Sequence, residues 1–461
     1  MTNIILNQNQ LEAKINIENK NNVFITGQGG TGKTELLKYI ARSHYLNREG
    51  KIGITSMTGI SAILIDGVTL HSFLGIGLGN ESIKILYEKI LKNRFIYKRW
   101  KTLEILIIDE ISMMSIELLE KLETLARLIR QNNMVFGGLQ LVFSGDFCQL
   151  PSINTSDFCF NSEVWSKCIS KTIYLTEIIR QKNIEFQELL SHIRIGILSN
   201  EDKHILLSRV GVDISINGIE PTFIQGLNVD VDRVNKNALK KLKIDNQKNG
   251  LALAFHNYEI NILNEHNFPQ FVVSKFIKNI IAPQKLKLCV GAQVMLLKNN
   301  IEHDRFAAST KGSDRFSGAV GDRFSGAVGD SDLCNGSRGV VLEFDGNIPI
   351  VKFYNGKIAK INFHTWEYCE NKNSSVASPI LRAVQIPLKL AYSISIHKMQ
   401  GSTLDCAKIN LKNIFEYGQA YVALSRVKTL EGLSITDIDF DTIKANPIAV
   451  SYYNNLLIES S

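Results

Sequence analysis

The sequence predicts an α/β protein: a parallel sheet covered by helices, then a second α/β block interrupted by a small antiparallel β insert. Three observations lead there. The first 180 residues alternate short apolar runs with helical stretches, the signature of a covered parallel sheet. A glycine-rich loop, "GQGGTGKT" (27–34), stands between one such run and a helix. From about 336 to 386 the texture changes to short strands divided by Gly and Asn turns, which suggests a small barrel; after 387 the α/β texture returns.

In chain order, the strands expected in the first block are "NVFIT" (22–26), "KIGIT" (51–55), "EILIID" (104–109), "LQLVFSG" (139–145) and "TIYL" (172–175). Helices are expected near 33–46, 58–65, 115–131 and 161–168. Leu118, Leu122, Leu125 and Ile129 recur at helical spacing, so one face of the third is core. The Lys- and Arg-rich segment 81–101 reads as a short helical insert. A second block has helices near 183–195 and 228–243 and a strand at "PTFIQG" (221–226). The insert contributes "RGVVLEF", "IPIVKFY" and "KIAKINF". The octad "DRFSGAVG" occurs twice in tandem at 314–329, and "DRFAAS" (304–309) echoes it. A period so short cannot stack a repeat core, and we expect a surface loop.

Bulk properties set few limits. The 461 residues are 44% hydrophobic and 21% charged, an ordinary globular composition. The formal charge of +7 permits a polyanionic partner without requiring one. No stretch approaches the roughly 18 apolar residues of a membrane span, and "MTNIILNQNQ" lacks a secretion signal. Seven scattered cysteines show no CxxC and no Cys/His pairing, so free thiols in a reducing compartment are expected.

The loop "GQGGTGKT" fits G-x-x-x-x-G-K-[ST] in its required strand–helix context. Gly27, Gly29, Gly30, Thr31 and Gly32 would turn backbone N–H groups around phosphate oxygens. Lys33 would reach the β and γ phosphates, and Thr34 would offer its hydroxyl to Mg²⁺. In "ILIIDEIS" (105–112) an apolar run delivers Asp109 to the sheet's carboxyl edge, where it can hold Mg²⁺ through water. Glu110 then orients or deprotonates the attacking water. "LQLVFSGDFCQLP" brings a third strand to that edge, and Gln149, an amide that donates and accepts, suits the γ-phosphate and its water. Far downstream, Arg180 in "LTEIIRQ" and Arg426 in "AYVALSR" are candidate arginine fingers for the equatorial oxygens.

Together these stretches resemble the PIF-type (petite integration frequency) DNA helicases, in the 5′-to-3′ branch of helicase superfamily one, over nearly the whole chain. Leu6 and Gln10 look like that family's adenine-reading element. "TSMTGISAILIDGVTLHSFLGIGLG" (55–79) looks like its first DNA-contacting block, with Thr58, His71, Ser72 and Phe73. The block 118–151 is similar to the family's own signature. "IPLKLAYSISIHKMQGSTLD" (386–405) looks like the fifth motif, placing His397, Lys398, Gln400, Ser402 and Thr403 at the DNA backbone. "YGQAYVALSRVKTLEGL" (417–433) looks like the sixth, with Arg426 as finger and Gln419 and Tyr421 near DNA.

The resemblance implies two RecA-like domains: residues 1–171 with a wedge insert near 80–102, and residues 172–297 with 387–461. Residues 298–386 would be an insertion, with the repeat loop at 304–330 and the barrel at 335–386. It implies an ATP-dependent, Mg²⁺-using helicase that is monomeric and acts on single-stranded, duplex or fork DNA. A DNA-stimulated ATPase that remodels nucleoprotein, and an RNA helicase or packaging motor, share the loop and the fingers. An intracellular setting (nucleus, mitochondrion or viral replication compartment) follows, with no targeting domain expected before the motor. The chain departs from the family pattern in Gly29, where Ala is frequent, in Ser152, where a second Pro is usual, and in the octad expansion.

Overall fold

The computed structural model describes residues 6–43, 51–152, 157–215, 219–226, 228–248, 254–298, 333, 336–369, 380–399 and 401–459. The "DRFSGAVG" repeat lies outside them.

Six strands build the first sheet: β1 (Val23–Gly27), β2 (Ile52–Ser56), β3 (Val68–Thr69), β4 (Ile105–Asp109), β5 (Gln140–Gly145) and β6 (Lys171–Leu175). Their order is β3-β2-β4-β5-β1-β6, all parallel. Successive side chains in a strand point to opposite faces, and both faces here are apolar. Val23, Ile25, Ile105, Ile107 and Val142 enter one core, with the helix that follows the glycine-rich loop. Phe24, Leu106, Ile108, Leu141 and Phe143 enter the other, with Leu119, Leu122 and Leu125 of the helix Ile116–Arg130. Ser115 starts that helix by accepting the Leu118 N–H at 3.2 Å. Because β6 pairs with β1 along its whole length, the first sheet runs to Leu175, beyond the expected boundary at 171.

The basic insert folds as two helices, Ile83–Lys92 and Arg94–Thr102. Trp100 anchors it: the indole is buried and donates to the Leu74 carbonyl at 3.0 Å. Arg94 and Lys98 stay exposed on the second helix.

After β7 (Thr222–Gln225) the chain enters antiparallel structure with β8 (His256–Glu259), β9 (Asn261–Leu263), β10 (Lys285–Leu288) and β11 (Gln293–Leu296). It continues with β12 (Arg338–Asp345), β13 (Ile348–Phe353), β14 (Ile358–Lys360), β15 (His364–Cys369), β16 (Ile380–Gln385) and β17 (Leu388–Leu390). One five-stranded sheet has the order β14-β13-β12-β11-β17; β15-β16-β9 and β10-β8 form two smaller ones. The antiparallel region is therefore wider than 298–386, because its central sheet recruits β11 and β17 from either side.

Parallel order returns with β18 (Ser393–Ser395), β19 (Ala407–Leu411) and β20 (Leu433–Ile438), which join β7 as β18-β7-β19-β20. The helix Ile184–Ile195 packs here through Phe186, Leu189, Leu190 and Ile193. One expectation needs correction: the last helix, Pro447–Glu459, places Ala449 and Tyr453 in the first domain's core, although it follows the second sheet in sequence.

Among the described residues no helix is long and apolar enough to cross a membrane. The cysteines Cys148, Cys159, Cys168, Cys289 and Cys406 are free and buried; Cys334 and the side chain of Cys369 lie outside the described residues.

Leu119 has no exposed surface between helix and sheet. Leu119→Ala should lower the stability of the first domain by about 2–5 kcal/mol through lost transfer energy and a residual cavity. Urea unfolding checks this, and a loss below about 1 kcal/mol would contradict the packing described.

Candidate nucleotide and DNA site

Parallel register brings the exits of β1, β5 and β4 to one edge: Thr26 lies beside Gly145, and Phe143 beside Ile108. Ligands of open α/β sheets bind at this carboxyl edge. The helix Lys33–Arg42 begins with Gly32 in the left-handed region at φ 84°, where a side chain would be strained and would strike Gln10 and Ile179. Gln10 is fixed by a capping box with Asn7 at the start of the helix Gln8–Glu18, and its amide faces the Thr31 carbonyl at 3.5 Å. Thr31 is buried and ties the loop by donating to the Gln28 carbonyl at 2.9 Å. The Gly30 carbonyl accepts the N–H groups of Ile179 and Arg180 at 2.8 and 3.2 Å. Gly29 has a spatial reason: a Cβ there would lie 3.3 Å from both the Ser425 and Tyr421 hydroxyls.

Lys33 donates to the Gly27 and Gln28 carbonyls at 2.6 and 2.8 Å. Burial pushes its ammonium down to about 8, against the attraction of Asp146, Glu110 and Asp109. Asp109 is buried and raised above the usual carboxylate value by desolvation, while the Ser144 hydroxyl, at 2.8 Å, opposes that shift. Glu110 follows at φ 56°, an uncommon backbone for a non-glycine residue and one that recurs at functional sites. Thr34 is half-buried in the first helical turn.

Gln149, buried, accepts from Arg426 Nη2 at 3.0 Å. This is a contact between the two domains, across 277 residues of sequence. Arg426 is itself braced by the Val422 carbonyl at 3.1 Å, and Arg180 donates to the Ser425 carbonyl at 2.9 Å. Burial lowers both guanidinium groups from their ordinary value, and Arg426 lowers Arg180 further. All five expected catalytic groups thus converge on one cleft.

The residues expected at DNA divide. Thr58 caps the helix Gly59–Leu64 through Ser61, at 2.9 Å between hydroxyls and 3.2 Å from the Ser61 N–H. His71, Ser72 and Phe73 are half-buried on the helix Leu70–Leu74, and Arg99 of the basic insert lies 4.8 Å over the Phe73 ring. Across the cleft, a Cβ on Gly401 would meet Leu64 at 2.6 Å, and one on Gly336 would meet the Thr403 carbonyl at 2.8 Å. The first domain, the fifth-motif loop and the antiparallel region therefore adjoin. Ser402 is buried, its hydroxyl donating to the Met399 carbonyl at 2.6 Å. His397 and Lys398 sit on the short helix Ile396–Met399, but their side chains, like Gln400, lie outside the described residues.

Gln419 and Tyr421 are corrections. Both are fully buried, with their side-chain oxygens turned to protein partners. Gln419 accepts the Phe415 and Glu416 N–H groups at 3.1 and 3.4 Å, and the Tyr421 hydroxyl accepts the Gly29 N–H at 2.7 Å. Their helix, Gln419–Leu424, is an internal strut between domains. Gly418 (φ 72°) makes that approach possible, since a Cβ would lie 2.5 Å from the Cys148 carbonyl.

Sequence reasoning missed Arg194. Its Nε donates to both Asp146 oxygens at 3.2 and 3.0 Å, and Nη2 donates at 2.8 Å. Burial alone would raise the Asp146 carboxyl, but Arg194 holds it below the usual range. A signal existed: Arg194 falls in phase with the buried stripe Phe186, Leu190 and Ile193 of its helix. Asp146, at the exit of β5, thus serves an interdomain ion pair.

Fold and site define a P-loop protein with two RecA-like domains, in which an arginine of the second domain, Arg426, reaches Gln149 of the first across the cleft. Comparison with known proteins narrows the class. A family model described as PIF1-like helicase matches residues 5–204. The chain is similar to the ATP-dependent DNA helicase PIF1 of Xenopus laevis, 35% identical over 94% of this chain and 62% of that protein. It resembles the Pif1 helicase structure from Candida albicans, with 32% identity, 98% and 100% coverage and a TM-score of 0.73. It also resembles Bacteroides sp Pif1 in complex with ADP-AlF4, with 29% identity, 99% and 98% coverage and a TM-score of 0.77. The chain belongs to the PIF1-like helicase family. It spans about three-fifths of the length of the Xenopus helicase.

Lys33 generates a pH test. The unfolded lysine keeps its proton to about 10.5, and the folded one releases it near 8. A bound triphosphate favours the ammonium, so above about 8 ATP binding takes up a proton and affinity falls as pH rises. Calorimetric titration just above pH 8, in two buffers of different ionisation enthalpy, should give enthalpies that differ in the sense of proton uptake. Identical enthalpies would disprove the linkage.

Proposed function

We propose that the chain is an ATP-driven DNA helicase that moves 5′ to 3′ along single-stranded DNA and unwinds duplex or forked DNA. The observation that carries this reading is Arg426 of the second domain, 3.0 Å from Gln149 of the first. A finger delivered across the cleft ties hydrolysis to domain closure, which a single-domain nucleotide switch lacks. The Xenopus relative is named an ATP-dependent DNA helicase, which supports the helicase part of this reading.

Each residue has a role in this reading. Gln10 contacts adenine, and the loop from Gly27 to Thr34 cradles the phosphates. Lys33 neutralises the β and γ oxygens, Glu110 takes the water's proton and Gln149 orients that water. Arg180 and Arg426 stabilise charge on the transferred phosphoryl group. Among the described residues no cluster of three acidic, His or Cys side chains could hold a metal alone. Thr34 and the buried Asp109 fit Mg²⁺, which keeps waters and takes phosphate oxygens as its remaining ligands. The ion would neutralise developing charge there.

Thr58, His71, Ser72 and Phe73 on one domain, with His397, Lys398, Ser402 and Thr403 on the other, grip the strand on either side of the cleft. Opening and closing then step one set past the other. The five-stranded antiparallel sheet is the small barrel of the insertion, beside Thr403. A DNA substrate places the protein in a DNA-holding compartment: nucleus, mitochondrion or viral replication site.

With Mg²⁺ and ATP, a short duplex bearing a 5′ single-stranded tail should be displaced, and one with a 3′ tail should not. Displacement from the 3′ tail alone overturns the direction; ATP turnover without displacement moves the reading to a nucleoprotein remodeller. Arg426→Ala should lower kcat for DNA-stimulated hydrolysis by about 10³-fold or more while ATP affinity changes little. Parallel losses in both would refute a transition-state role.

A further inference from the structure

The last helix, Pro447–Glu459, carries none of the nucleotide-binding motifs, yet it reaches the back of the phosphate loop. Tyr453 is 3% exposed in a cluster with Phe24, Phe147 and Trp165. Its hydroxyl lies 2.7 Å from Thr26 Oγ1 and accepts the Phe147 N–H at 3.0 Å. Thr26 Oγ1 already donates to the Gly145 carbonyl at 2.9 Å, so the phenol is the donor to Thr26. One hydroxyl therefore pins two strand exits: β1 where Gly27 begins the phosphate loop, and β5 where the chain turns toward Gln149.

The ring has a second task. The Arg194 guanidinium stands 4.4 Å from its centroid, a cation–π contact in a site shielded from water. Arg194 is the group that binds both oxygens of Asp146. Asp146 in turn receives the Cys148 N–H at 3.1 Å and faces the Gln149 amide nitrogen at 3.5 Å. A continuous path leads from Tyr453 through Arg194 and Asp146 to Gln149 and Arg426. A phenylalanine would fill the same space in this aromatic cluster. The hydroxyl, fully satisfied and costly to bury, is therefore explained by its bonds and not by packing.

We propose that Tyr453 is a positioning residue for ATP hydrolysis: its hydroxyl fixes the exits of β1 and β5, and its ring holds Arg194 against Asp146, so that Gln149 is aimed at the nucleotide. This rests on the reading of Gln149 as the water-orienting amide. Tyr453 contacts only protein groups and acts through them.

The test uses the full chain with saturating single-stranded DNA. In Tyr453→Phe, kcat for ATP should fall about ten-fold while KM for ATP stays within about two-fold. The melting temperature should shift by no more than about a few degrees. Thr26→Val, which removes the acceptor, should reproduce the loss, and Thr26→Ser should retain the rate. Combined with Gln149→Ala, Tyr453→Phe should add little further loss, because both act on one step. An unchanged kcat in Tyr453→Phe overturns the proposal, as does a loss fully additive with Gln149→Ala. A fall in kcat accompanied by equal losses of ATP affinity and thermal stability also overturns it, by showing a merely structural role. Full activity in Gln149→Ala alone overturns the underlying site reading instead.

Discussion

The Asp146–Arg194 pair is the interaction on which the cleft depends. Both side chains are almost completely buried, one at the exit of a first-domain strand and the other on a helix packed in the second core. Removing two charges from water is expensive, and in the low-dielectric interior only close, multiply bonded geometry offsets that penalty. Here three N–H···O contacts do so, and the pair then constrains its neighbours. Leu150, four residues after Asp146, already belongs to the second domain's core. The turn that presents Gln149 is thus held from both domains.

Electrostatics around the phosphate loop follows from the same crowding. Lys33, Arg180, Arg194 and Arg426 share one cleft with Asp109, Glu110 and Asp146. Desolvation weakens the charged forms of Lys33, Arg180 and Asp109, whereas Arg194 and Asp146 keep theirs by direct contact. Lys33, drawn back onto its own loop carbonyls, is a cation whose ordinary charge is restored by a polyanion. The site is arranged to take up phosphate charge, with Arg426 of the second domain already in contact with the Gln149 amide of the first.

The same two-sided construction extends to the elements proposed to hold DNA. The helix that Thr58 caps touches the loop carrying Gly401, and that loop meets the antiparallel region through Gly336. The strut Gln419–Leu424 reaches the glycine-rich loop, since its Tyr421 bonds Gly29 and Arg426 follows two residues after its end. The parts on either side of the cleft are therefore joined by packed, hydrogen-bonded backbone, the kind of connection that responds as discrete arrangements and not as a soft medium.

Local sequence determined what local physics controls. The glycine loop, the apolar runs ending in Asp109 and Gly145, and the helix stripe from Leu118 to Ile129 specify strand, turn and helix from neighbours a few residues away. Lys33, Glu110, Gln149, Arg180 and Arg426 could be named because each stands at a strand exit or in a recognisable motif. Tertiary structure decided the rest. Gln419 and Tyr421 stand in a motif that pointed to DNA, but helix packing turns them inward. The fate of Asp146 depended on Arg194, and that of β1's exit on Tyr453, a residue 427 positions from Thr26. A buried polar group is defined by the partner that satisfies it, and no periodicity in the chain encodes a partner that distant.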